Sequence, residues 1–160
     1  MPLSGHCTLT LPSVQPPSSV NTGNIHGAWQ LLSYKVEVKT NGDFFTPMGN
    51  HPSGYVIFTP EGRLSFTLAA EGRQPAESIA DLASLQSSLI AYIGTYRLEQ
   101  DRWITQVDVA WNPEWVGTEQ TRFFTISDDL LLTVHTPWRV MPNWPERGLT
   151  RSIVRFKRCN

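Results

Sequence analysis

Charge is scarce in this chain. Only 17% of its 160 residues are Asp, Glu, Lys or Arg, and they sum to −1. A near-neutral surface offers no basic face for nucleic acid and no acidic tail for a charged partner. Cysteine is scarcer still. Cys7 and Cys159 sit near opposite ends; they form a disulfide only if the termini meet, and are otherwise two free thiols of an intracellular protein. The four histidines are scattered at positions 6, 26, 51 and 135, so no spacing of His, Cys and carboxylate points to a metal site. No apolar run approaches the ~20 residues of a membrane span. No basic residues precede an apolar block at the N-terminus, so no secretory signal is expected and the expected location is cytoplasmic. A nucleotide loop, a Gly-x-Ser-x-Gly elbow and a catalytic cysteine setting are also missing. Any catalysis is therefore expected to need no cofactor.

Aromatic residues, by contrast, are plentiful, with six tryptophans. Such rings either fill a core or line a site for a flat or greasy ligand. The length suits one domain with a real core. Residues 1–24 are rich in Pro, Ser and Thr without periodicity and are expected to form a flexible arm. Residues 25–160 then make up the domain. Short strands are predicted over 29–38, 55–59, 63–68, 95–100, 102–111, 118–126, 130–136 and 150–157, with Pro60-Glu61-Gly62 as a hairpin signal. In the third of these, Leu64, Phe66 and Leu68 share one face. One helix is predicted over about 77–92, between the third and fourth strands. Ser78-x-x-Asp81 resembles a capping box, Ile79, Leu82, Ala83, Leu89, Ile90 and Ile93 follow helical spacing, and Gly94 marks the end. Eight antiparallel strands closing on themselves make an all-β up-and-down barrel, whose interior holds side chains or one small ligand.

The strand after the turn Pro113-Glu114-Trp115-Val116-Gly117 carries Gln120, Arg122 and Phe124 on one face. An amide, a guanidinium and a ring suit the wall of a wet, partly polar pocket. Gln106 and Asp108 share a face of the preceding strand. The turn makes the two strands antiparallel neighbours, so their polar faces are expected to combine inside the barrel, with Asp108 and Arg122 reaching the cavity together. Two readings of that pair stay open. It ties two strands together, or Asp108 is a general acid or base while Arg122 stabilises an enolate or polarised carbonyl. His135, the one histidine inside a predicted strand, is the candidate proton shuttle, against a solvated or core role. Tyr55 and Tyr96 either orient a ketone or phenol or simply pack. Phe66, Trp111 and Trp115 complete the expected ligand wall. Two long Pro-rich loops, 39–53 and 137–149, break the short-turn rule. Trp138 and Trp144 in the second either form the lip of the cavity or pack on the exterior.

Four phrases occur in order: Gly27-Ala28-Trp29-Gln30-Leu31-Leu32-Ser33-Tyr34, Gly54-Tyr55-Val56-Ile57-Phe58-Thr59-Pro60-Glu61-Gly62-Arg63-Leu64-Ser65, Ala91-Tyr92-Ile93-Gly94-Thr95-Tyr96 and Pro113-Glu114-Trp115-Val116-Gly117-Thr118-Glu119-Gln120. Together they resemble the lipocalin-like domain family, the small stand-alone bacterial and fungal proteins of that kind, over nearly all of residues 26–157. The resemblance implies an eight-stranded barrel with a central cavity and a helix near one end. It also implies that Trp29 plugs the closed end against Arg155 or Arg151 of a late strand. Relatives carry histidines and a glutamate on the strand before the Pro-x-Trp turn. Thr105, Gln106 and Asp108 stand there instead, which tells against histidine chemistry. The function expected is binding of a small, largely apolar metabolite and its cofactor-independent cyclisation or isomerisation in secondary metabolism. The alternative is a passive carrier or sensor. The expected partner is that small hydrophobic molecule, with no nucleic acid and no membrane; a homodimer is left open.

Overall fold

A computed structural model describes residues 25–160. The predicted arm, and Cys7 with it, lies outside the described residues. Ten strands run in chain order: β1 (Gly27–Val38), β2 (Phe44–Phe45), β3 (Ser53–Phe58), β4 (Arg63–Ala69), β5 (Leu89–Glu99), β6 (Arg102–Ala110), β7 (Glu119–Ile126), β8 (Leu131–His135), β9 (Arg139–Val140) and β10 (Leu149–Arg158). Every neighbouring pair is antiparallel. The order is β2-β1-β3-β4-β5-β6-β7-β8-β10-β9, and pairing of β1 with β10 closes the sheet. The two-residue strands β2 and β9 are side pairings at one rim, so eight strands form the barrel wall, as the alternating patterns predict. Alternation is the cause: β4 reads exposed–buried throughout, with Leu64, Phe66 and Leu68 inside, and each strand must turn its apolar set to the same interior.

The helix, α1 (Ile79–Ser87), lies between β4 and β5, because the short β2 adds one to the strand count. It is shorter than predicted. Its start is as read: the Ser78 side chain accepts from the Asp81 backbone N–H at 3.1 Å, and the Asp81 carboxylate accepts from the Glu77 N–H at 3.0 Å. Its end is not Gly94. From Leu89 the chain pairs with β4 (Ala69 opposite Leu89), and Ile90, Tyr92 and Gly94 alternate into the core. Leu89, Ile90 and Ile93 fit helical spacing, but in the strand Ile90 faces inward while Leu89 and Ile93 face outward. Ladder hydrogen bonds and two buried side chains outweigh a helix that buries no residue at all.

The two barrel ends differ. One is sealed by aromatics: Trp29 and Trp103 are fully buried, and Phe58 meets Tyr96, and Trp103, edge-on at 5.2 and 5.0 Å. Trp29 donates to the Ile25 carbonyl at 2.8 Å. The arginine over its ring is Arg158, at 4.8 Å, neither of the two expected. Register explains the difference. Trp29 pairs with Arg158, and an irregularity between Leu31 and Ser33 then sets Arg155 opposite Ser33, on the exposed side. Arg151 pairs instead with Glu37 at 2.6 Å. The other end is roofed by the two long loops, which contribute the buried Met48, Met141 and Trp144.

Candidate functional site

Along its length β7 turns Gln120, Arg122 and Phe124 inward, all buried, with Gln120 and Arg122 toward the roofed end and Arg122 only 2% exposed. On β6 the inward residues are Trp103, Thr105 and Val107. The ladder sets Trp103 opposite Arg122 and Thr105 opposite Gln120, while Gln106 faces Glu119 on the outer surface. Asp108 shares that outer parity. Its carboxylate accepts from Arg63 Nη1 at 2.7 Å, with both side chains about half exposed. The expected meeting of Asp108 and Arg122 inside the barrel is therefore corrected: the two lie on opposite sides of the sheet. Neighbouring strands share a face between directly opposed residues, and the register opposes even positions of β7 to odd positions of β6.

The guanidinium that joins Arg122 comes from β9. That strand pairs Arg139 with Thr150, whose inward side chain is fully buried. Arg139 Nη1 donates to Gln120 Oε1 at 2.6 Å, and the Gln120 amide donates to Thr118 Oγ1 at 3.0 Å. Arg122 Nη1 donates to the Thr121 carbonyl at 2.8 Å. Both guanidiniums lie over the Trp115 ring, at 4.8 Å for Arg139 and 5.8 Å for Arg122. Arg122 also lies near the rings of Phe66 (5.9 Å) and Tyr92 (5.6 Å), which stack at 5.0 Å. Each such contact is worth about 0.5–2 kcal/mol. An uncompensated buried charge costs several times that.

Neither arginine forms a salt bridge among the described residues, and residues 1–24 contain no Asp or Glu. Burial, reinforced by the charge of Arg122, pulls the Arg139 pKa from 12.5 to about 9, so Arg139 stays a cation at neutral pH. Burial raises the Tyr34 and Tyr92 hydroxyls, opposed by the two arginines. Tyr34 pairs with Ser152 Oγ at 2.6 Å. The Tyr92 hydroxyl, Arg139 Nε and Thr105 Oγ1 are buried without a hydrogen-bond partner. The space among Tyr34, Phe66, Ile90, Arg122, Arg139 and Met141 is small. About 10 Å³ is open to the centre of a water-sized sphere, enough for about one water molecule.

The remaining sequence candidates fall elsewhere. Tyr55 points outward and is 46% exposed. Tyr96 and Phe124 belong to the sealed end, where Tyr96 donates to the Thr59 carbonyl at 3.1 Å and Phe124 packs on Trp103. His135 is half-buried on the outer face, opposite Phe123 and Ile153. Trp138 packs on the exterior, between Arg151 at 4.8 Å and Lys39 at 5.7 Å. Trp144 instead fills the roof, edge-on to Tyr34 and Phe45. Trp111 reaches the site only through Trp115, 4.7 Å away. So the fold brings together Phe66, Trp115, Gln120 and Arg122, and adds Tyr34, Tyr92 and Arg139. Tyr92 was hidden by the helical spacing of its neighbours, Tyr34 by the irregularity in β1, and Arg139 by its loop. An arginine between two prolines in a long loop was the available signal for the last. Comparison with curated proteins gives no match. The lipocalin-like domain, however, matches residues 26–159, almost all of the described barrel, and the chain belongs to that family.

Proposed function

We propose that this protein binds one small, largely apolar molecule at the roofed end of its barrel. The lipocalin-like barrel suggests that class of ligand. The observation that carries the proposal here is the roofed end itself. Aromatic and aliphatic side chains enclose the guanidiniums of Arg122 and Arg139, and no protein group satisfies Arg139 Nε. A core built only for stability pairs such groups or omits them. The gap holds about one water as it stands, so entry requires the 137–149 loop to lift Met141 and Trp144. Trp115 makes binding observable. A neutral apolar dye, N-phenyl-1-naphthylamine, should bind with a stoichiometry of one and accept energy from tryptophan, and Trp115→Phe should lower that transfer. Dye fluorescence unchanged by protein at any concentration would sink the proposal.

A second reading is cofactor-independent isomerisation or cyclisation in secondary metabolism. It is favoured by a hydroxyl, Tyr92, beside two guanidiniums able to stabilise an enolate. Asp108 has no part in it. Tyr92→Phe should then stop turnover and leave dye binding intact. Equal turnover in both proteins would remove Tyr92 from the chemistry, and no turnover in the parent would reduce the function to carriage.

A further inference from the structure

We infer that Arg122 and Arg139 form a receptor for a carboxylate, so that the ligand is an amphiphile with an anionic head and an apolar body. This rests on the binding function proposed above and adds the chemistry of its head group. Two like charges share one enclosed space, each hydrogen-bonded only to a neutral oxygen: the Thr121 carbonyl for Arg122 and the Gln120 amide for Arg139. Arg139 Nε is buried and unpartnered, and the buried Tyr92 hydroxyl has these same two guanidiniums as its charged neighbours. Guanidinium N–H groups pair with carboxylate oxygens as a planar fork, and Arg is rarely buried without such a partner. No acidic side chain of the chain supplies one. All fourteen acids lie among the described residues, and none forms a salt bridge with Arg122 or Arg139. The missing anion must therefore arrive with a ligand. A carboxylate is favoured over the bulkier phosphate because the space beside Arg122 and Arg139 is small.

The test compares octanoate with 1-octanol as displacers of N-phenyl-1-naphthylamine at neutral pH, with acetate and inorganic phosphate as head-group controls. The chains match, so the ratio of their affinities reads the head group alone. Octanoate is expected to bind about tenfold or more tighter than octanol. Arg139→Met should bring that ratio, measured against the variant's own dye affinity, close to one. The same variant, without ligand, should melt at or above the temperature of the parent, because it removes an uncompensated buried charge. An arginine kept for structure would lower it. Equal affinities of octanoate and octanol in the parent protein would overturn the inference and leave the binding function standing. Failure of dye, octanol and octanoate alike would bring down both. Phosphate binding more tightly than acetate would overturn the carboxylate assignment.

Discussion

Asp108 and Arg122 act separately in the fold, although the strand pattern invites pairing them. Arg122 is in the barrel and Asp108 is on its surface with Arg63. Exposed ion pairs contribute little, so Asp108→Asn is expected to cost less than about 1 kcal/mol by chemical denaturation and to leave dye binding unchanged. A larger loss, or lost binding, would mean that Asp108 acts in the interior after all. His135 carries a different consequence. Burial, helped by the charge of Arg151 and opposed by Glu37, holds its pKa below the ordinary 6.5. The unfolded chain therefore takes up a proton first as pH falls. The stability tied to neutral His135 is complete above about 6.5 and is lost below it. His135→Gln should flatten the pH dependence of the melting temperature between about pH 5 and 6.5; an unchanged slope would rule His135 out as its source. Among single side chains, Phe66, Gln120 and Arg122 were legible from strand parity. Arg139 was not, because nothing in a loop sequence says which way its side chain turns.

At the scale of elements, the β5–β6 ladder decides the most. Its register shifts between Ile93 and Gly94, and this shift accompanies the parity of β6 that turns Thr105 inward and Asp108 outward. Gly94 is essential to that approach. A Cβ placed there would sit 1.9 Å from the Gln106 carbonyl oxygen. Backbone cannot yield as a side-chain tip does, so Gly94→Ala is expected to destabilise by about 3 kcal/mol, read from denaturant midpoints. A neutral substitution would show that the two strands can separate there. The 137–149 loop is tied to α1 by Asn143, whose amide donates to the Ser87 and Leu89 carbonyls at 2.8 and 3.2 Å. The helix thus braces the roof rather than filling the core, which explains why Ile79 and Leu82 stay exposed. The capping signal was readable because it is local. The helix end was not, because Leu89, Ile90 and Ile93 continue the helical spacing and only pairing with β4 overrides it.

For the molecule as a whole, closure is carried by β1 against β10, over nine aligned pairs from Trp29–Arg158 to Val38–Thr150. All of these lie beyond residue 24. Removing residues 1–24 is therefore expected to shift the melting temperature by no more than a few degrees; a large drop would assign the arm a part in the barrel or in a subunit contact. Alternation along each strand, the turn residues between strands and the capped start of α1 are properties of neighbours in the chain, and from them the sequence by itself determined an all-β barrel of eight wall strands with one helix. Which face of β6 looks inward, where β5 begins and which arginine meets Trp29 depend on register between strands far apart in sequence. The pairing of Arg122 with Arg139 depends on a loop folding back over the barrel end. Those choices are made by the joint burial of many side chains, so only the tertiary structure decided them.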